Sequence, residues 1–180
     1  MIKKVALFAT LAILLVGCGT VAKTSTTSPA FQPPANCNDT NVLSALPSDL
    51  ANPMYIPTEW QPAAGTDLEA ILNGGGIACT YGVQQAEIGV TVSWVKNSKD
   101  LFASRIAGWK SAGFEENKIA GVTADQMYVI SEAAMNAREI HSWSANILVK
   151  GNWIQVSASY IYKSNDAAAL INAAITSLRS

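Results

Sequence analysis

Residues 139–162 read EIHSWSANILVKGNWIQVSASYIY, and their alternation decides the fold. His141, Trp143, Ala145, Ile147 and Val149 fall on one side of an extended chain, with Ser142, Ser144, Asn146 and Leu148 on the other. Ile154, Val156, Ala158, Tyr160 and Tyr162 alternate in the same way with Trp153, Gln155, Ser157 and Ser159. Side chains along a strand point to opposite faces with period two. A two-residue turn containing Gly151 therefore joins strands over 139–149 and 152–162 with both apolar sets on one face. A turn one residue longer scrambles the faces. The second face carries mostly Ser, Asn and Gln, and is expected to be solvated or only partly covered.

Upstream, residues 77–84 and 87–95 repeat the pattern. A turn at Gln85-Ala86 pairs Val83 with Ile88, Tyr81 with Val90, Cys79 with Val92 and Ile77 with Trp94, so all apolar positions share one side. A short strand is expected over 125–131, after the turn region Ile119-Ala120-Gly121-Val122.

Helices show a different period. Ser98 is placed to cap a helix over 98–112 whose stripe is Phe102, Ile106 and Trp109, ended by Gly113. Asn165 or Asp166 caps a closing helix with Ala167, Leu170, Ile171, Ala174, Ile175 and Leu178 on one face. Thr66 and Glu69 form a capping box for a brief helix to about Asn73, stopped by Gly74-Gly75-Gly76. Asp39 or Thr40 is expected to cap a short helix through Leu46, and the four prolines of 47–65 predict irregular chain. The expected fold class is α+β: an antiparallel sheet of about five strands packed by two main amphipathic helices, with one disulfide.

The chain opens with Met1-Ile2-Lys3-Lys4 and an apolar run from Val5 to Val16. That run is too short for a membrane-spanning helix, which needs about 20 residues, and suits the core of a signal peptide. Leu15-Val16-Gly17-Cys18 resembles the lipobox of bacterial lipoproteins. The resemblance implies cleavage after residue 17, a diacylglyceryl group on the Cys18 thiol and a further acyl chain such as palmitate on the new amino group. Residues 18–36 then form a lipidated Cys and a Thr/Ser/Pro-rich tether, with an r.m.s. reach of about 23 Å as flexible coil. A single domain is expected over 37–180.

Cysteine arithmetic agrees. With Cys18 carrying lipid, Cys37 and Cys79 remain, and an exported chain sits in an oxidising compartment. A Cys37–Cys79 disulfide closes a loop of about 43 residues, roughly 4 kcal/mol in the chain-entropy model. Two free buried thiols are the alternative. No further Cys or His stands near either at metal-ligand spacing.

Charge narrows the partners. The first 17 residues hold two of the 12 basic residues, so their removal leaves 10 against 13 acidic, net −3. That argues against nucleic acid, which calls for a basic stripe, and against a polybasic grip on anionic lipid.

The lipobox, the tether, Cys37 opening the domain, Cys79-Thr80-Tyr81 on the first strand, the stretch 120–126 and the closing amphipathic helix together resemble a group of actinobacterial cell-envelope lipoproteins of unknown function. The resemblance implies a PsbP-like or related α+β sandwich and a host with one membrane. It implies no catalytic residue.

Candidate chemistry is sparse. His141 is the only histidine and falls on the apolar face, away from Ser142, Ser144, Ser157 and Ser159. Glu115 and Glu116 are adjacent, so in a strand they point apart. Gly74-Gly75-Gly76 has no following Lys and no strand before it, unlike a phosphate loop. Binding has more material among the five tryptophans. Trp94, Trp109 and Trp143 fall on core faces. Trp153 stands amid Gln155, Ser157, Ser144 and Asn146, an arrangement that suits stacking on a sugar or peptide. Trp60, in the Pro-rich segment, is read as a lid, an interaction loop or a plug for the sheet edge.

The sequence therefore predicts a protein held by lipid on the outer face of the cell membrane, with no cofactor and no metal. Its expected role is non-catalytic, binding a partner protein or an envelope ligand. A carrier of a small apolar molecule and an envelope hydrolase are the alternatives.

Overall fold

Lys150 and Gly151 both adopt left-handed backbone, with φ of 50° and 76°. Two such residues in succession make the tight turn that matches strand twist. They join β6 (Ser142–Val149) to β7 (Asn152–Ala158) in the predicted register, Val149 opposite Asn152 and Ile147 opposite Ile154. The computed structural model describes residues 31–84, 88–132 and 142–179. The leader, Cys18, much of the tether, the Gln85-Ala86 turn and His141 lie outside them.

The second hairpin also holds its predicted register. In β2 (Ile77–Val83) and β3 (Ile88–Val95), Cys79 lies opposite Val92 and Tyr81 opposite Val90. β7 ends at Ala158 rather than Tyr162. Beyond Ser159, whose N–H donates to Gly89 O at 3.2 Å, the chain leaves the sheet and delivers Ile161 to the core. Tyr162 is left 70% exposed.

Among the described residues the sheet has seven antiparallel strands, not about five, in the order β1-β2-β3-β7-β6-β5-β4. The middle strand is β5 (Gln126–Glu132). Sequence reading missed the two edges. β1 (Met54–Ile56) is three residues held between Pro53 and Pro57, and β4 (Glu115–Glu116) is two exposed acids. Both are too short to show a period. Short edges bearing proline or charge also discourage pairing with another sheet.

Among the described residues three α-helices pack on the sheet, the brief one after Thr66 joining the two main helices that were expected to pack it. α3 (Ala168–Thr176) covers one face, burying Leu170, Ile171 and Ala174 against Trp94, Trp143, Ile147 and Ile154. A 3-10 turn, Ser164–Ala167, leads into it, so neither Asn165 nor Asp166 caps the α-helix. The N-terminal segment shares this face. Its predicted short helix is instead a pair of 3-10 turns, Cys37–Asp39 and Leu43–Ala45, with Asn36 capping the first. The Thr40 hydroxyl is engaged with Cys37 O and with Tyr81 Oη at 2.6 Å. Cys37 is fixed to Cys79 by the expected disulfide, Cα–Cα 5.5 Å.

α1 (Asp67–Asn73) and α2 (Lys99–Ser111) cover part of the other face. Thr66 caps α1 as predicted, its hydroxyl accepting from Glu69 N at 3.2 Å. Gly76 lets α1 return to the sheet, since a Cβ there would lie 2.4 Å from Trp94 O. Ser98 is the N-cap residue of α2 as expected, its carbonyl accepting from Phe102 N at 2.8 Å, but its side chain makes no capping bond. Its hydroxyl donates to Val95 O and accepts from Trp153 N at 2.7 Å, which ties the helix to the sheet. Ile71, Phe102, Trp109, Tyr128, Leu148 and Trp153 form this second core. Among the described residues no helix is long and apolar enough to cross a membrane.

Candidate functional site, the polar face of the sheet

Register arranges this face in rows. Val95, Trp153 and Leu148 lie side by side and are buried beneath α1 and α2. The next row is Ala78, Ser93, Gln155 and Asn146. The third is Thr80, Thr91, Ser157 and Ser144, all half-buried. One face thus grades from an aromatic core to an accessible hydroxyl row, and the expectation of partial cover holds only toward the hydroxyl end.

The residues singled out from sequence divide accordingly. Trp153 and Asn146 are fully buried, so the Trp153 ring is not offered to solvent. Its polar neighbours serve it internally, the indole N–H donating to Asn146 Oδ1 at 2.9 Å. Phe102 and Trp109 meet the ring edge-on, at centroid distances of 6.1 and 5.4 Å. Ser144 and Ser157 stay together in the accessible row, their hydroxyls 2.9 Å apart. Gln155 lies between the two zones and donates to Asp67 Oδ2 at 3.2 Å. Trp60 stands apart at the edge of β2, where its indole N–H donates to Ala78 O at 2.9 Å. It closes an edge that β1 is too short to cover.

Asp67 is the hub that sequence reading missed. Its Oδ1 accepts from Arg105 Nε at 2.7 Å, and its Oδ2 from Trp109 Nε1 at 2.6 Å, Gln155 Nε2 and Asn146 Nδ2. Arg105 also donates to Gly65 O. The pair is shielded, with side-chain exposures of 13% for Asp67 and 29% for Arg105. The only sequence signals were the acid in the first turn of α1 and the four-residue spacing of Arg105 and Trp109, which places them on one helix face. A cleft of about 600 Å³ opens here, with Asp67, Arg105, Trp109, Phe114 and Gln155 in its wall.

Other candidates remain separate. Glu115 and Glu116 are exposed on the β4 edge. Among the described residues no group of three or more His, Cys, Asp or Glu is placed to hold a metal ion. No protein-family model, curated protein or solved structure matches the chain.

Proposed function

We propose that the protein is a lipid-anchored, extracytoplasmic, non-catalytic binding module of the cell envelope that binds a partner protein or an envelope ligand, the anchor being what its lipobox-like leader implies. The observation that carries the binding assignment is the hydroxyl row Thr80-Thr91-Ser157-Ser144, half-exposed beside the Asp67 cleft. A flat row of donor-acceptor groups about 5 Å apart suits a ligand with closely spaced hydrogen-bonding groups, such as a glycan or an extended peptide. The anchor assignment is supported by the leader and by the cysteines. Cys37 and Cys79 bond to each other, which leaves Cys18 as the third cysteine for acylation.

Catalysis has less support. Among the described residues the Ser144 hydroxyl contacts the Ser157 hydroxyl and Val156 O. The carrier alternative is also less favoured, because Asp67, Arg105 and Gln155 stand beside Trp109 and Phe114 in the wall of the cleft.

The test is native mass spectrometry of the lipidated protein extracted from its own membrane in mild detergent. Wild type should retain an envelope ligand or a partner chain, and Ser157→Trp, which fills the row, should lose it with unchanged circular dichroism. Equal retention by both would rule out this face.

A further inference from the structure

The described chain begins at one end of the sheet and is fastened there. Gln32 N donates to Arg179 O at 2.7 Å and Arg179 N to Gln32 O at 2.8 Å, a two-residue bridge between the start and end of the fold. Lys150 Nζ sits 3.5 Å from the centroid of the Phe31 ring. Pro33 and Pro34 share a cleft with Gly75, Gly76, Ile77 and Lys96. The start of β2, the end of β3 and the β6–β7 turn all lie at this end, as their pairings Ile77–Trp94, Val95–Trp153 and Val149–Asn152 require.

Three exposed lysines surround the point of entry. Lys96 follows β3, Lys99 opens α2, and Lys150 is in the hairpin turn. The acids at this end are Asp39, paired with Arg179 at 2.8 Å, Asp125, which accepts from Lys150 N, and Asp100 in the first turn of α2. The surplus is small, so these lysines would not hold a free domain on a membrane.

They can set the orientation of one already held. Residues 19–30 separate Cys18 from Phe31. Twelve residues span at most about 43 Å even when fully extended. A domain of this size has a radius of gyration of roughly 15 Å, hence a span near 40 Å. A tether that cannot much exceed the span of the domain favours keeping the end it enters nearer the bilayer than the end where β7 finishes.

We propose that this end of the sheet lies against the bilayer, with Lys96, Lys99 and Lys150 on the headgroups of anionic phospholipids. The proposal rests on the lipid-anchor reading of Cys18. It stands the sheet upright on the membrane, with the hydroxyl row facing sideways.

The full acylated chain is reconstituted in phosphatidylcholine vesicles with and without phosphatidylglycerol. Intact mass first reports acylation, and an unacylated Cys18 in protein from the native host overturns the anchor reading itself. Amine-reactive footprinting then reports each lysine. Contact worth about 1 kcal/mol per lysine corresponds to a roughly fivefold loss of reactivity. That loss is expected at Lys96, Lys99 and Lys150 on anionic vesicles, with Lys110 and Lys163 unchanged. Acylated protein with equal reactivity at all five, or with protection at Lys163 instead, overturns the orientation.

Discussion

Asp67→Asn is the sharpest perturbation of the second core. Donors approach both carboxylate oxygens, Arg105 on Oδ1 and Trp109, Gln155 and Asn146 on Oδ2. An asparagine keeps the shape but has one acceptor oxygen and one NH2 group. Whichever way its amide turns, an N–H faces another donor, so flipping gives no relief. Hydrogen bonds to charged groups contribute about 1.5–3 kcal/mol each, and breaking a fully buried ion pair costs about 3–5 kcal/mol. The partial exposure of Arg105 lowers the second figure, which leaves an expected loss of about 2–3 kcal/mol. For a domain of this size that is a fall in Tm of roughly 4–12 °C. Urea unfolding followed by tryptophan fluorescence measures it, with Glu116→Gln on the exposed β4 edge as a control near zero. Because they share one network, Asp67→Asn and Arg105→Gln together should lose less than the sum of their separate effects. A loss below about 0.5 kcal/mol for Asp67→Asn, the range of surface ion pairs, would refute the hub assignment.

Three further outcomes are expected. Cys37→Ser with Cys79→Ser should lower stability by about 4 kcal/mol in denaturant titration, and reduction of the wild type should do the same. Trp153→Phe keeps most of the packing but strands the buried Asn146 oxygen, for a loss of about 1–3 kcal/mol in the same titration. Burial pushes the Tyr160 phenol from 10.0 up to about 12, and its hydroxyl has no hydrogen-bond partner among the described residues. The folded protein keeps this proton where the unfolded chain releases it, so stability is full below pH 10 and falls as pH rises toward 12. Tyr160→Phe should weaken that alkaline fall and match or exceed wild-type stability at neutral pH, both read from Tm against pH.

The two hairpins were legible because an alternating strand with one apolar face has only one register that buries that face. Val83, Ile88, Val149 and Asn152 therefore sit where period two puts them. The stripe of α2 was equally readable, but Phe102 and Trp109 do not state which side of a sheet they will meet. That choice decided the fate of Trp153, correctly placed among polar neighbours yet sealed by the helix. β1 and β4 escaped because two or three residues carry no period. Asp67 escaped because a helix-start acid looks the same whether it faces water or collects donors from α2, β6 and β7.

The bond between Cys37 and Cys79 also fixes how the molecule carries force. A pull on the N-terminal end first strains the Gln32–Arg179 bridge and the Phe31 contact, both non-covalent. At Cys37 the tension crosses through sulfur to Cys79, inside a strand flanked on both sides. Residues 38–78, including β1 and α1, are bypassed by this covalent route. The edge strand and the helix that carries Asp67 thus stay off the covalent path, while β2, the strand beside that edge, is loaded.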